Sequence, residues 1–182
     1  MRLGLKFNLI LTACFLVGLM ASAILFYQIS QRNAQEQLRG QIEVLRAQAL
    51  SVRRYTSEEI RPLLANLSAV QFIPQTVPSF SAQAVFANFR DRFPSFSYKE
   101  AVLNPTNPAD MAVGFEKEMI DKLRADSSIK SLVEVRQDPA GPQYTVAFPL
   151  VVGSESCLTC HSTPENAPPS LIALYGKEGG LG

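Results

Sequence analysis

The chain has no tryptophan, one histidine and three cysteines in 182 residues, and 17 Lys and Arg nearly cancel 16 Asp and Glu. Each scarcity removes a class of function. A formal charge of +1 offers no electrostatic footprint for nucleic acid, so no nucleic-acid partner is expected. A single imidazole cannot complete a nucleophile, base and orienter if it is committed elsewhere, so an enzyme reading has little support. Ahead of Tyr144 the chain shows no clear alternation of strands with crossover helices, which a thioredoxin-like fold requires. With 47% hydrophobic residues, its length holds one membrane segment and one ordinary domain.

Two of the three cysteines and the only histidine fall together, in Ser156-Cys157-Leu158-Thr159-Cys160-His161. The run CxxCH is the spacing required for covalent attachment of a c-type haem. The two thiols add across the haem vinyl groups, and the adjacent imidazole becomes the proximal iron ligand. On one helical turn, residues i and i+3 share a face, so both sulfurs meet one porphyrin edge while the next residue swings under the metal. Cys157 and Cys160 are thus the expected thioether residues of one haem c, and His161 its proximal ligand. Other chemistries use the same residues. A thioredoxin-like pair places CxxC at a helix start after a strand, and Tyr144–Val152 is a candidate strand. A structural zinc site closes with four ligands, one more than this motif holds. Two inert cysteines are the remaining alternative.

The first element is Phe7–Tyr27, a run without charge whose notable polar interruptions are Asn8 and Thr12. At about 1.5 Å per residue it reaches roughly 30 Å, enough to cross a bilayer core. Arg2 and Lys6 precede it, which keeps the N-terminus in the cytoplasm and sends the rest outside. Ala21-Ser22-Ala23 resembles a signal-peptide cleavage site, but Ile24-Leu25-Phe26-Tyr27 continues the apolar run past it, so an uncleaved single-pass anchor is expected over residues 1–30. Either way the domain lies across the membrane, as c-haem attachment on the outer side of the bacterial inner membrane requires. Cys14 lies inside this run as a small apolar residue.

Residues 31–70 form the second region. From Gln31 to about Thr56, Leu38, Ile42, Leu45, Ala49 and Val52 follow alternating four and three steps, with Arg32, Arg39, Arg46 and Arg53 every seventh position beside them. This pattern suits two arrangements: a stalk that pairs with a second copy of the chain, or a helix packed on its own domain. Pro62 is expected to kink or end the helix, and Leu63, Leu64, Leu67 and Val70 suggest a short continuation.

The third region, 71–182, opens rich in turns and aromatics. Ser79–Arg90 reads as a helix placing Val85, Phe86 and Phe89 inward. Asn104-Pro105 and Asn107-Pro108 make a rigid turn, after which Asp110 is expected to cap a helix through Phe115, Met119, Ile120 and Leu123, with acids early and bases late. Ser131–Gln137 alternates as a strand, Asp138–Pro142 turns, and Tyr144–Val152 forms a second strand. Together they make a hairpin leading into the cysteine motif.

Tyr98-Lys99-Glu100-Ala101, Leu103-Asn-Pro-Thr-Asn-Pro-Ala-Asp110, Cys157-Leu-Thr-Cys-His-Ser-Thr-Pro164, Ala167-Pro168 and Tyr175-Gly176 occur in that order. In these motifs the chain resembles a bacterial family of c-type-haem sensor domains, long catalogued as a domain of unknown function, over roughly residues 30–182. The resemblance implies an α+β, PAS-like antiparallel sheet flanked by helices, preceded by the membrane helix and the long amphipathic helix. It implies a periplasmic domain, often followed by a second membrane helix and a signalling output module. Family members continue past Gly179-Gly180-Leu181-Gly182 with further sheet sequence, so truncation at the C-terminus is expected.

In some relatives a cysteine on the long helix supplies the distal haem ligand. Here the cysteine outside the motif lies in the apolar run, which leaves Met111, Met119, Tyr55, Tyr98, water or an open position. Arg53, Arg54 and Lys99 are candidates for the haem propionates, which suit guanidinium and ammonium donors. Two strong protein ligands would make an electron-transfer cytochrome; a weak or absent sixth ligand suits a sensor of redox state or a diatomic gas. The anchor and heptad stripe favour the sensor.

Overall fold

Fifty-three residues without a proline, Leu3–Tyr55, form one helix, α1, in the computed structural model of the protein. The structure describes residues 3–139, 141–153 and 155–177; Arg2 of the positive-inside argument, Ala140 of the expected turn and the final Gly179–Gly182 lie outside them. The chain divides into two units, Met1–Ala47 and Gln48–Gly182. The first is helix throughout its described length, apolar at the start and polar from Gln28. None of its most apolar stretch is buried, and it is long and apolar enough to cross a membrane.

In the second unit the end of α1 turns one stripe inward. Ala49 and Thr56 are buried and Val52 is half-buried, so this part of the heptad pattern packs on its own domain. The expected break at Pro62 is realised one turn early. Proline has no N–H to donate to Glu58, and its ring crowds that carbonyl. The helix therefore widens into a π turn over Thr56–Ile60, closed by the Arg61 N–H on the Thr56 carbonyl. Thr56 Oγ1 donates to the Val52 carbonyl at 2.9 Å and Ser57 Oγ to that of Arg53 at 3.0 Å, back-bonds that bend helices. Short helices α2 (Arg61–Leu63) and α3 (Ala65–Ser68) follow.

A single 3₁₀ turn, Pro74–Thr76, leads into α4 (Pro78–Arg92). Helix α4 packs on the π turn and the 3₁₀ turn, burying Ala82 and Phe86. Val85, expected inside, is 38% exposed; the buried pair at i and i+4 turns it outward. Phe89 is half-buried, stacking on Phe93 with centroids 4.7 Å apart.

The Asn-Pro turn is pinned at both ends. Val102 N–H donates to the Asp110 carbonyl at 3.0 Å and Ala112 N–H to that of Val102 at 2.9 Å. Asn107 caps the 3₁₀ turn Pro108–Asp110 by accepting from the Ala109 N–H. Asp110 does not cap the next helix. That helix, α5 (Phe115–Ala125), starts after Gly114, whose φ of +47° is open to glycine. Glu116 reaches back across the helix start, accepting from the Val113 N–H at 2.9 Å.

The antiparallel hairpin pairs β1 (Leu132–Asp138) with β2 (Gly141–Ala147), from Leu132 opposite Ala147 to Asp138 opposite Gly141. The second strand stops at Ala147 and not at Val152, because Pro149 cannot donate to a ladder. Two further helices, α6 (Glu155–Leu158) and α7 (Pro169–Tyr175), complete an α+β arrangement whose sheet has two strands among the described residues. Its core is built from Ala82, Phe86, Ala112, Met119, Ala167 and Leu171.

Candidate functional site

Helix α6 is one turn long, and the cysteine motif completes it. Thr159 N–H donates to the Glu155 carbonyl at 3.1 Å, and Thr159 Oγ1 donates to the same oxygen at 3.1 Å. The Cys157 carbonyl then accepts from both Cys160 N–H, at 3.1 Å, and His161 N–H, at 2.9 Å. The three functional residues therefore sit on one helical turn, with Cys160 three and His161 four positions after Cys157. Side chains so spaced share a face.

Both thiols are half-exposed and neither is in a disulfide, while His161 is exposed. Burial pushes the Cys160 thiol above its ordinary value, and the nearby charge of Arg61 opposes that shift. Beside His161, the buried Ser162 Oγ has no hydrogen-bond partner. These residues fit a covalent haem. Two thiols face one way on an accessible turn, an imidazole follows at the next position, and an unsatisfied hydroxyl waits beside it.

The geometry serves the other readings poorly. A thioredoxin-like thiol is activated at the start of a helix fed directly by a strand, but here Phe148–Gly153 has no regular structure and the Cys160 thiol is shifted upward. Among the described residues no three His, Cys, Asp or Glu side chains gather as a metal site.

The three cations proposed for propionates each meet a carboxylate. Arg53, 20% exposed, pairs with Glu100, 13% exposed, and Glu100 also accepts from the Tyr98 hydroxyl at 2.7 Å. Arg54 Nε donates to Glu58 at 2.9 Å on the surface. Lys99 Nζ donates to Glu116 and to the Met111 carbonyl, both at 2.7 Å. Of the distal candidates, Met111 bridges to Val102 and is 42% exposed, and Met119 is 3% exposed inside α5. Tyr98 stacks on Phe86 with centroids 4.6 Å apart, and Tyr55 is exposed at the end of α1.

Sequence reasoning missed Glu100 as the centre of a half-buried network with Arg53 and Tyr98.

An α+β domain with two cysteines and a histidine on one exposed helical turn is the class that fold and site define. The chain belongs to the Tll0287-like family, whose family description (Tll0287-like: Tll0287) matches residues 31–182. No curated protein and no solved structure matches it.

Proposed function

We propose that this chain is the haem-c-binding sensory input domain of a membrane-anchored signal-transduction protein, held in the bacterial periplasm by the apolar part of α1. The observation that carries the reading is the placement of Cys157, Cys160 and His161 on one accessible turn inside the segment that matches the family. When bound, a haem would supply a reversible one-electron iron centre. Cys157 and Cys160 would hold it by two thioether bonds and His161 would ligate its iron, with the Ser162 hydroxyl beside that imidazole.

The hairpin β1–β2 serves as part of a PAS-like sheet in this reading, and Met111 is the side chain proposed for the distal position. Helix α1 pairs with a second copy through its exposed stalk, where Leu38 is 40% exposed, and carries the signal to an output module. A weak or open distal position favours detection of redox state or a diatomic gas over electron transfer.

The test is production of the full chain with c-haem maturation machinery, followed by spectra oxidised, reduced, and reduced with CO or NO. A covalent haem whose reduced spectrum shifts with the gas supports gas sensing. A six-coordinate reduced haem blind to both gases restricts the domain to redox sensing or electron transfer. Absence of covalent haem overturns the reading.

A further inference from the structure

The alternation of β1 is reversed for a strand that faces water. Val133 and Val135 are 45% and 54% exposed, while Glu134 and Arg136 are half-buried; a sheet solvated on one face puts its polar side chains outward. The inward face is fixed by Arg136, whose guanidinium carbon lies 3.8 Å from the centroid of the Phe115 ring. A guanidinium stacked in this way keeps its N–H edge free for a carboxylate. Among the described residues neither Glu134 nor Arg136 has an ion-pair partner.

The same strand has an open edge. Among the described residues β1 pairs with β2 and with no other strand, and a hairpin of two strands is marginal by itself. Pro142, opposite Gln137, has no N–H, which a ladder tolerates at a non-hydrogen-bonded pair. By alternation the N–H and C=O groups of Val133, Val135 and Gln137 point away from β2. The strand has no proline or lysine, and its register with β2 runs without a bulge, so these common protections of an edge are missing. What it has is a pair of opposite charges, Glu134 and Arg136.

We propose that β1 is a self-pairing edge, through which two copies of this chain join antiparallel about a two-fold axis at Val135 to make one continuous sheet. In that register Val135 lies opposite the partner's Val135 and Val133 opposite the partner's Gln137, so the outward N–H and C=O groups meet each other. Glu134 falls opposite the partner's Arg136, and Arg136 opposite the partner's Glu134, at the non-hydrogen-bonded positions where side chains come closest. Moving the axis one residue either way sets Glu134 against the partner's Glu134 or Arg136 against the partner's Arg136, and like charges directly opposite are destabilising. The charges therefore select both the partner, a second copy, and the register. This interface is separate from the stalk of α1 and stands whether or not a haem is bound.

The experiment is disulfide trapping in the full chain in detergent. A Val135→Cys variant and a Gln143→Cys control, exposed on β2, are oxidised mildly with glutathione disulfide. The peptide joined to its own copy through the introduced cysteine is quantified by mass spectrometry, which keeps Cys14, Cys157 and Cys160 out of the readout. Directly opposed Cα atoms about 5.5 Å apart are within disulfide reach, so Val135→Cys should give the joined peptide and Gln143→Cys should not. Adding Glu134→Arg or Arg136→Glu to Val135→Cys brings like charges face to face and should cut the yield roughly tenfold. The two together exchange the charges and should restore it. Gln137→Pro removes one outward N–H, leaves the ladder with β2 intact, and should abolish joining. No joined peptide from Val135→Cys, or a yield that ignores both the charges and the proline, overturns the proposal; the edge is then open or covered by another segment or protein. A charge-exchanged variant that melts with the parent and still fails to join overturns it as well.

Discussion

Glu100 holds two side chains in place at once: it receives the Arg53 guanidinium and the Tyr98 hydroxyl, and Tyr98 in turn stacks on the buried Phe86. Removing the charge as Glu100→Gln leaves a largely buried arginine without its counter-ion. The expected loss is about 2 kcal/mol, read as a lower urea midpoint with unchanged slope. The same carboxylate acts on Asp110. Burial raises the Asp110 pKa above its ordinary 3.8, and the Glu100 charge adds to the rise; Gln83, Lys99 and Asn107 oppose it. Because the folded state prefers the protonated form, Asp110 contributes stability that is fully present below the ordinary value and is lost as pH rises through its raised pKa. Asp110→Asn should therefore raise the thermal midpoint at pH 7 and leave it nearly unchanged at pH 3.5, which scanning calorimetry at the two pH values will show. At this scale the placement of Cys157, Cys160 and His161 on one turn was legible, because five consecutive positions decide it. The Arg53–Glu100 pair was not, since 47 positions separate its members and neither has a local pattern that names the other.

Elements were read well where a period repeated and poorly where one backbone position decided. The length of α1 follows from the absence of proline before position 62, with Gly18 and Gly40 tolerated inside the helix. The hairpin follows from alternation around a Pro- and Gly-containing turn. The start of α5 was misread because Asp110 has the chemistry of a cap, but the chain reaches the helix through Gly114 at positive φ, and Glu116 binds the Val113 N–H. Gly114→Ala is expected to cost about 1–3 kcal/mol, since a φ of +47° with ψ of −120° is strained for any residue with a Cβ. Circular dichroism melts will register the loss. Helix α4 was placed correctly along the chain, yet its inward face centres on Ala82 and Phe86 and not on Val85. Phe86→Ala should destabilise the domain by about 3 kcal/mol, whereas Val85→Ala should change stability by less than about 0.5 kcal/mol.

For the whole molecule, the apolar run and the cysteine motif fall in separate units. The first unit has a stretch long and apolar enough to cross a membrane, none of it buried. The second builds a domain in which α4 and the π turn pack together, and it carries the cysteine turn. If this turn holds a haem by two thioether bonds, the haem cannot be extracted without breaking them. The most direct measurement is acid-acetone extraction of the full chain made with c-haem maturation machinery, beside a Cys157→Ser, Cys160→Ser double variant. The Soret absorbance should stay with the parent polypeptide, and the double variant should yield its pigment to the solvent or carry none. A parent chain whose colour extracts completely, or that never acquires colour, would contradict the thioether attachment.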